Sequence, residues 1–238
     1  MAATCPHNPE VNCADCRMSS LCLPIALELD EIERLNQIVQ RGRPLHKDTH
    51  VYDAADEFKA IYAVRSGSIK TYSVSDQGVV QVTGFYLPGE IFGIDGIANT
   101  QHVNAAVAME TSAICEIPFS RLEELSLTMP SLQRHFFKLM SKEITNDQQL
   151  ITLLSKNSAE ERVATLLLSI SSRNAKRNLS SLRFRLPMSR ADIGNYLGLT
   201  VETVSRVFSR FQKQGLLEVD KKEIEIKDID ALQELANT

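Results

Sequence analysis

Apolar residues along this chain change their period several times, and the changes mark out its parts. Up to residue 26 there is no period: the stretch is polar, turn-prone and cysteine-rich, with Pro6, Pro9 and Pro24. It carries too few large apolar side chains to bury a core of its own, so it needs a staple. From Leu29 to Val39 a helical pattern follows, with Ile32, Leu35, Ile38 and Val39 on one face. From about Pro44 to Pro118 the runs shorten and alternate: Ala60–Val64, Ile69–Val74, Val79–Phe85 and Ala113–Ile117. Turn signals separate them at Ser66-Gly67, Asp76 to Gly78 and Pro88-Gly89. Many short strands at this spacing predict a small β-roll or barrel.

A helix then begins near Phe119, pauses at Pro130 and continues to about Ser155. Its longer part carries Phe137, Met140, Ile144, Asp147, Ile151 and Leu154 at alternating spacings of three and four. That is the a/d seam of a coiled coil, sustained just long enough for a dimer contact. Asp147 is the one charge in the seam. In a two-fold dimer it would approach its symmetry mate, and like charges at a partly desolvated contact repel. Asp147 is therefore the expected switch residue of a deliberately weak seam.

Beyond Ser158 the pattern is mostly helical. Ser158 to Glu161 forms a capping-box pattern that opens a helix running to residue 176. Ser189 can cap a further helix with Ile193 and Leu197 buried, Gly198 suits a tight turn, and Thr200 can cap the next helix. Val204, Val207, Phe208 and Phe211 then face inward, which leaves the polar set Glu202, Ser205, Arg206 and Ser209 outward. This is the layout of a helix-turn-helix that offers its second helix to the major groove. Arg206 can fork onto guanine and Glu202 can accept from cytosine, while Arg190, Arg210 and Lys213 are candidates for phosphate contacts. Leu216–Val219 and Glu223–Ile226 predict a terminal β-hairpin. The whole reads as an α+β chain in four parts: 1–26, 27–129, 130–157 and 158–238.

Composition narrows the function. The 238 residues carry a formal net charge of −4, so a nucleic-acid site must be a local patch. No apolar run is long enough to span a bilayer and no secretory signal is apparent, so a cytoplasmic protein is expected. Five cysteines in a reducing compartment point to metal or redox chemistry rather than disulfides. Two residues separate Cys13 from Cys16, five separate Cys16 from Cys22, and Cys115 lies at the end of the β region. Three close thiolates and one distant one would tie the weak segment to the roll, with an iron–sulfur cluster or zinc as ligand. Spacing does not choose between them. Cys5 falls outside the pattern and reads as a free thiol. No nucleophile–base pair or phosphate-cradling loop supports an enzyme. His7, His46, His50, His102 and His135 are scattered and read as surface residues.

Taken together, the cysteine triad, β-roll, long helix and helix-turn-helix resemble the CRP/FNR superfamily of bacterial regulators, specifically its oxygen-sensing FNR/Anr branch. The matching stretches are 63–70, 81–85, 115–118, 153–156 and 192–206. The resemblance implies a cyclic-nucleotide-binding-like β-roll, a dimerisation helix and a winged helix-turn-helix. It implies that Cys13, Cys16, Cys22 and Cys115 hold an oxygen-labile [4Fe–4S] cluster. It implies a homodimer on a palindromic TTGAT-type site, with Glu202, Ser205 and Arg206 reading bases and Val201 against a thymine methyl. It also implies contact with RNA polymerase, for which the hairpin near Asp76–Gly78 is a candidate. Cyclic-nucleotide receptors share the superfamily. Residues 88–93 keep their Gly-Glu, but 102–107 offer no Arg for a cyclic phosphate, so no cyclic nucleotide is expected.

Overall fold

Period-two patterning between residues 40 and 118 builds two four-stranded antiparallel sheets. The computed structural model describes residues 11–156 and 158–236. Cys5 therefore lies outside the described residues. The strands are β1 (Gln40–Arg41), β2 (His50–Tyr52), β3 (Ala60–Ser66), β4 (Ile69–Val74), β5 (Val80–Tyr86), β6 (Ile91–Phe92), β7 (Ala105–Ala108) and β8 (Ala113–Pro118). One sheet has the order β1-β8-β3-β6 and the other β2-β7-β4-β5. Four of these strands coincide with the runs read from the sequence. β1 and β6 are two residues long, β2 is three, and β7 is four buried residues with no alternation, so none of them carries a period to detect.

Alternation along β3 sends side chains to two different cores. Tyr62 and Val64 point inward between the sheets, with Tyr52, Ile69, Phe92, Ala106 and Ala108. Ile61 and Ala63 point outward to Leu35 of α1 (Leu29–Ile38), Leu122 of α2 (Phe119–Thr128), and Leu132 and Phe136 at the start of α3 (Pro130–Lys156). Leu23, which ends the cysteine-rich segment, is fully buried in this outer core. Residues 11–22 contribute no helix or strand and are held by turns such as Cys22 N–H to the Met18 carbonyl at 2.9 Å.

The chain divides into two compact units, the first ending at Glu143 and the second beginning at Ile144, within α3. In the second unit α4 (Ala159–Lys176) is opened by a complete Ser158/Glu161 capping box. The strand β9 (Arg183–Arg185) precedes α5 (Arg190–Leu197) and α6 (Val201–Lys213), and β10 (Leu217–Asp220), β11 (Glu223–Ile226) and α7 (Ile229–Ala236) complete the fold. The expected terminal hairpin is thus part of a three-stranded sheet, in the order β10-β11-β9. The three residues of β9 gave no pattern of their own; they are recruited by pairing Phe184 with Ile224.

The corner between α5 and α6 rests on two glycines. Gly198 ends α5 with φ of 63°, the left-handed region that a side chain disfavours. Gly194 faces the turn itself: a Cβ there would lie 2.6 Å from the Leu199 carbonyl oxygen. Gly194→Ala should therefore push the two helices apart and cost about 1–3 kcal/mol as an overpacking change. Urea unfolding of the variant, read by the signal of the helix-turn-helix unit, should show a lower midpoint at unchanged slope.

Candidate functional site

Strand register places the first site. Cys115 on β8 pairs with Ala63 of β3 on one side and Arg41 of β1 on the other. It joins the outer core, where Cys22 also packs. Cys13, Cys16, Cys22 and Cys115 line one pocket together with Leu23, Leu35, Ile117, Arg41 and Arg65. The structure thus brings together the two parts of the chain that the sequence reading linked. Among the described residues the lining contains no carboxylate and no imidazole, so its strong metal donors are the cysteine sulfurs. Such a donor set fits iron–sulfur or zinc chemistry and not a hard oxygen-liking cation. Among the described residues, no group of three or more Cys, His, Asp or Glu side chains is drawn together tightly enough to hold a metal ion.

Burial sets the state of the thiols. It pushes the Cys13 thiol up to about 11 and the Cys22 thiol up to about 12. It also raises Cys115, against the pull of Arg41 and Arg65. These thiols are protonated at neutral pH, and a metal binding here must displace their protons. Arg41 is tied in: its Nη2 donates to Asn36 Oδ1 at 2.7 Å and to Cys13 Sγ at 3.1 Å. Asn36 Oδ1 also accepts from the Cys13 backbone N–H at 3.0 Å.

Of the histidines read as surface residues, one is buried and a second is half-buried. His102 is only 3% exposed. It stacks on Tyr52 with ring centroids 3.6 Å apart and bonds through Nδ1 to Asp95 at 3.1 Å. His135 on α3 stands beside the Cys22 backbone carbonyl, and burial lowers its pKa. Neither histidine sits in an apolar period that would have revealed it; His102 is covered by Tyr52, fifty residues earlier in the chain.

Capping and amphipathicity place the second site. Thr200 accepts from the Thr203 N–H at 3.2 Å and starts α6, while Val204, Val207, Phe208 and Phe211 are buried. Val201, Glu202, Ser205 and Arg206 stand exposed on the other face. The Ser205 hydroxyl turns back to donate to the Val201 carbonyl at 2.8 Å. Glu202 is held below its usual range, first by its own backbone N–H and then by Thr200, with Arg206 adding to the effect. It therefore stays an anion. The three expected phosphate contacts differ. Lys213 is exposed, Arg210 pairs with Glu160, and the Arg190 guanidinium lies 3.4 Å from the Phe208 ring centre. Burial lowers Arg190 to about 10, still charged at neutral pH.

The sequence reading missed Arg162. Its guanidinium donates to the Leu154 carbonyl at 2.8 Å and the Leu197 carbonyl at 2.9 Å. It therefore answers the C-terminal carbonyls of both α3 and α5. Three residues after the α4 start, it looked like an ordinary solvated charge.

Comparison with known proteins bears on both sites. Residues 161–235 match the Crp-like helix-turn-helix domain, and residues 43–128 match the cyclic nucleotide-binding domain. The transcriptional activator protein FnrA of Stutzerimonas stutzeri is 50% identical over 227 residues, covering 95% of this chain and 93% of that protein. The chain belongs to the FNR/Anr group of the CRP/FNR family. The Anaerobic regulatory protein of Pasteurella multocida is 49% identical over 228 residues, covering 96% of this chain and 84% of that one. The solved structure of FixK2 from Bradyrhizobium japonicum superposes with a TM-score of 0.77 at 30% identity, covering 83% of this chain and 97% of that one. This FNR/Anr-group protein is thus a DNA-binding transcription regulator of a family that is not enzymatic. Among its described residues no helix is long and apolar enough to cross a membrane.

Proposed function

We propose that this FNR/Anr-group chain is a cytoplasmic, oxygen-responsive regulator in which Cys13, Cys16, Cys22 and Cys115 hold a [4Fe–4S] cluster. The observation that carries the reading is the convergence of four thiols from two distant parts of the chain on one pocket that, among the described residues, has no carboxylate or imidazole. The name of the Pasteurella multocida relative, an anaerobic regulatory protein, supports it. A bound cluster supplies a cross-link between the cysteine segment and the sheet that lasts only while oxygen is absent.

The chain's own residues give that link a route outward. Without it, residues 11–22 are held by local turns, by Leu23 and by the Cys13–Asn36–Arg41 bonds. His135 on α3 lies beside the Cys22 backbone carbonyl, two residues before Phe137. Along α3, Phe137, Ile144 and Ile151 recur every seven residues and are 57%, 59% and 65% exposed. Such a row of large apolar side chains is the face a second copy would cover, with Met140, Asp147 and Leu154 completing the seam. Neighbouring side chains already raise Asp147 above the usual carboxylate range. Ordering of residues 13–22 against α3 would favour the homodimer, and the dimer would set two copies of α6 on a palindromic TTGAT-type site.

In the same reading Glu202, Ser205 and Arg206 contact base edges, and Val201 contacts a thymine methyl. Arg190, Arg210 and Lys213 contact phosphate. RNA polymerase is the further partner. No cyclic nucleotide is part of it: the roll interior is filled by Tyr52, Tyr62, Phe92 and His102, and residues 102–107 offer no Arg to pair with a cyclic phosphate.

Three experiments test this reading. Protein purified without oxygen should be brown, carry iron and sulfide, and bleach in air, and Cys115→Ser should abolish the colour. A colourless protein with stoichiometric zinc would overturn the cluster. Asp147→Ala should shift the cluster-free chain toward a dimer by about tenfold, the scale of one relieved charge contact. Sedimentation in air checks this, and a variant that stays monomeric removes Asp147 from the switch. Arg206→Ala should cost about 1–3 kcal/mol on the palindrome and relax discrimination at one G·C pair. Equal loss on specific and random DNA would assign Arg206 to phosphate instead.

A further inference from the structure

The thiol pocket holds a charge that the fold leaves unanswered. Arg65 is 9% exposed, and among the described residues none of its three guanidinium nitrogens has a hydrogen-bond partner. Guanidinium cannot shed its proton at any ordinary pH, so the side chain cannot escape burial by becoming neutral. An unpaired buried cation lowers the stability of a folded chain. Arg41, on the same pocket wall, shows the contrasting case, because Asn36 Oδ1 and Cys13 Sγ already accept from it. Arg65 stands two residues beyond Ala63 on β3, and Ala63 is the register partner of Cys115. It lines the pocket together with all four cysteines.

We propose that Arg65 is the counter-charge of the sulfur site: its guanidinium offsets the negative charge that four thiolates bring when a metal centre is bound. The inference rests on the four-cysteine reading above, but not on which metal centre the pocket takes. A four-thiolate zinc site and a four-thiolate iron–sulfur cluster are both net anions. Either would supply the acceptors that Arg65 lacks. Arg65 is then a positioning residue for the site. It works against the folded apo chain and in favour of the loaded one.

That opposition in sign is the test. Arg65→Met keeps the stem packing and removes the charge, while Arg65→Lys keeps the charge and shortens the fork. Full-length protein, reduced and free of oxygen, is titrated with cobalt(II), whose thiolate charge-transfer bands report binding at the cysteines. Arg65→Met should bind cobalt about tenfold more weakly, the scale of a lost charged hydrogen bond. Arg65→Lys should stay within about threefold of the parent chain. Thermal melting of the apo forms should show Arg65→Met at least as stable as the parent. Unchanged cobalt affinity in Arg65→Met overturns the proposal. A drop in apo stability that matches the loss of affinity also overturns it, since Arg65 would then be a structural residue. A parent chain without cobalt–thiolate bands removes the anion and the proposal with it. If cobalt binds as expected but anaerobic iron and sulfide give no chromophore, the oxygen-sensing reading fails and Arg65 stands. If the cluster assembles and Arg65→Met is unshifted, Arg65 fails and the reading stands.

Discussion

The four-cysteine pocket depends on one strand register. Cys115 faces outward because β8 lies opposite β3 with Cys115 against Ala63 and Ile117 against Ile61. Ile61 and Ala63 belong to the helix-side core, while Val64 belongs to the core between the sheets. A slip of one residue would turn Cys115 into the aromatic interior and leave Cys13, Cys16 and Cys22 without a partner on the roll. The register is held by burial on both faces of β3. Both cores would have to be broken to shift it, so the cysteine's position is fixed by packing alone.

The same two-faced sheet explains how one fold offers two separate interiors. Between the sheets, Tyr52, Tyr62, Phe92 and His102 stack into one aromatic cluster. On the outer face the cysteine segment packs against β1, β3 and β8 through Leu23, Cys22 and Cys13. His102 marks the difference well. In the sequence it is an ordinary polar residue between Gln101 and Val103. In the fold it is stacked on Tyr52 and bonded to Asp95, which also accepts from the Val103 and Asn104 N–H groups.

What could be read from the sequence follows from how local each signal is. The helix-turn-helix was legible to the residue because its caps, its turn glycine and its apolar positions lie within one short stretch; Ser189, Gly198 and Thr200 each do what the pattern predicted. The longer strands were legible because alternation needs only a few residues to show. β1, β6 and β9 were not, since two or three residues have no period and pair only because a distant strand is already in place. The linked cysteines were legible as a set, but not the pocket's arginines. Arg41 and Arg65 look like ordinary surface charges in the sequence, and only the register brings them to the sulfurs. Arg162 escaped for the same reason: its partners Leu154 and Leu197 are carbonyls on two other helices.

In the proposed switch the seam must be poised, and the side chains on α3 set it near that point. Covering a large aliphatic or aromatic side chain fully is worth about 1.5–3 kcal/mol. Phe137, Ile144 and Ile151 are each a little over half exposed, so two copies of this set contribute on the order of 5–10 kcal/mol on association. Loss of free motion on association costs about 4–15 kcal/mol. The two ranges overlap, which makes the apolar seam alone an even contest. A pair of carboxylates at Asp147 then decides against the dimer, and a modest gain elsewhere on α3 decides for it. Ordering the cysteine segment against His135 needs to supply only that difference. A seam with a leucine in place of Asp147 would be a permanent dimer, deaf to whatever the thiol pocket holds.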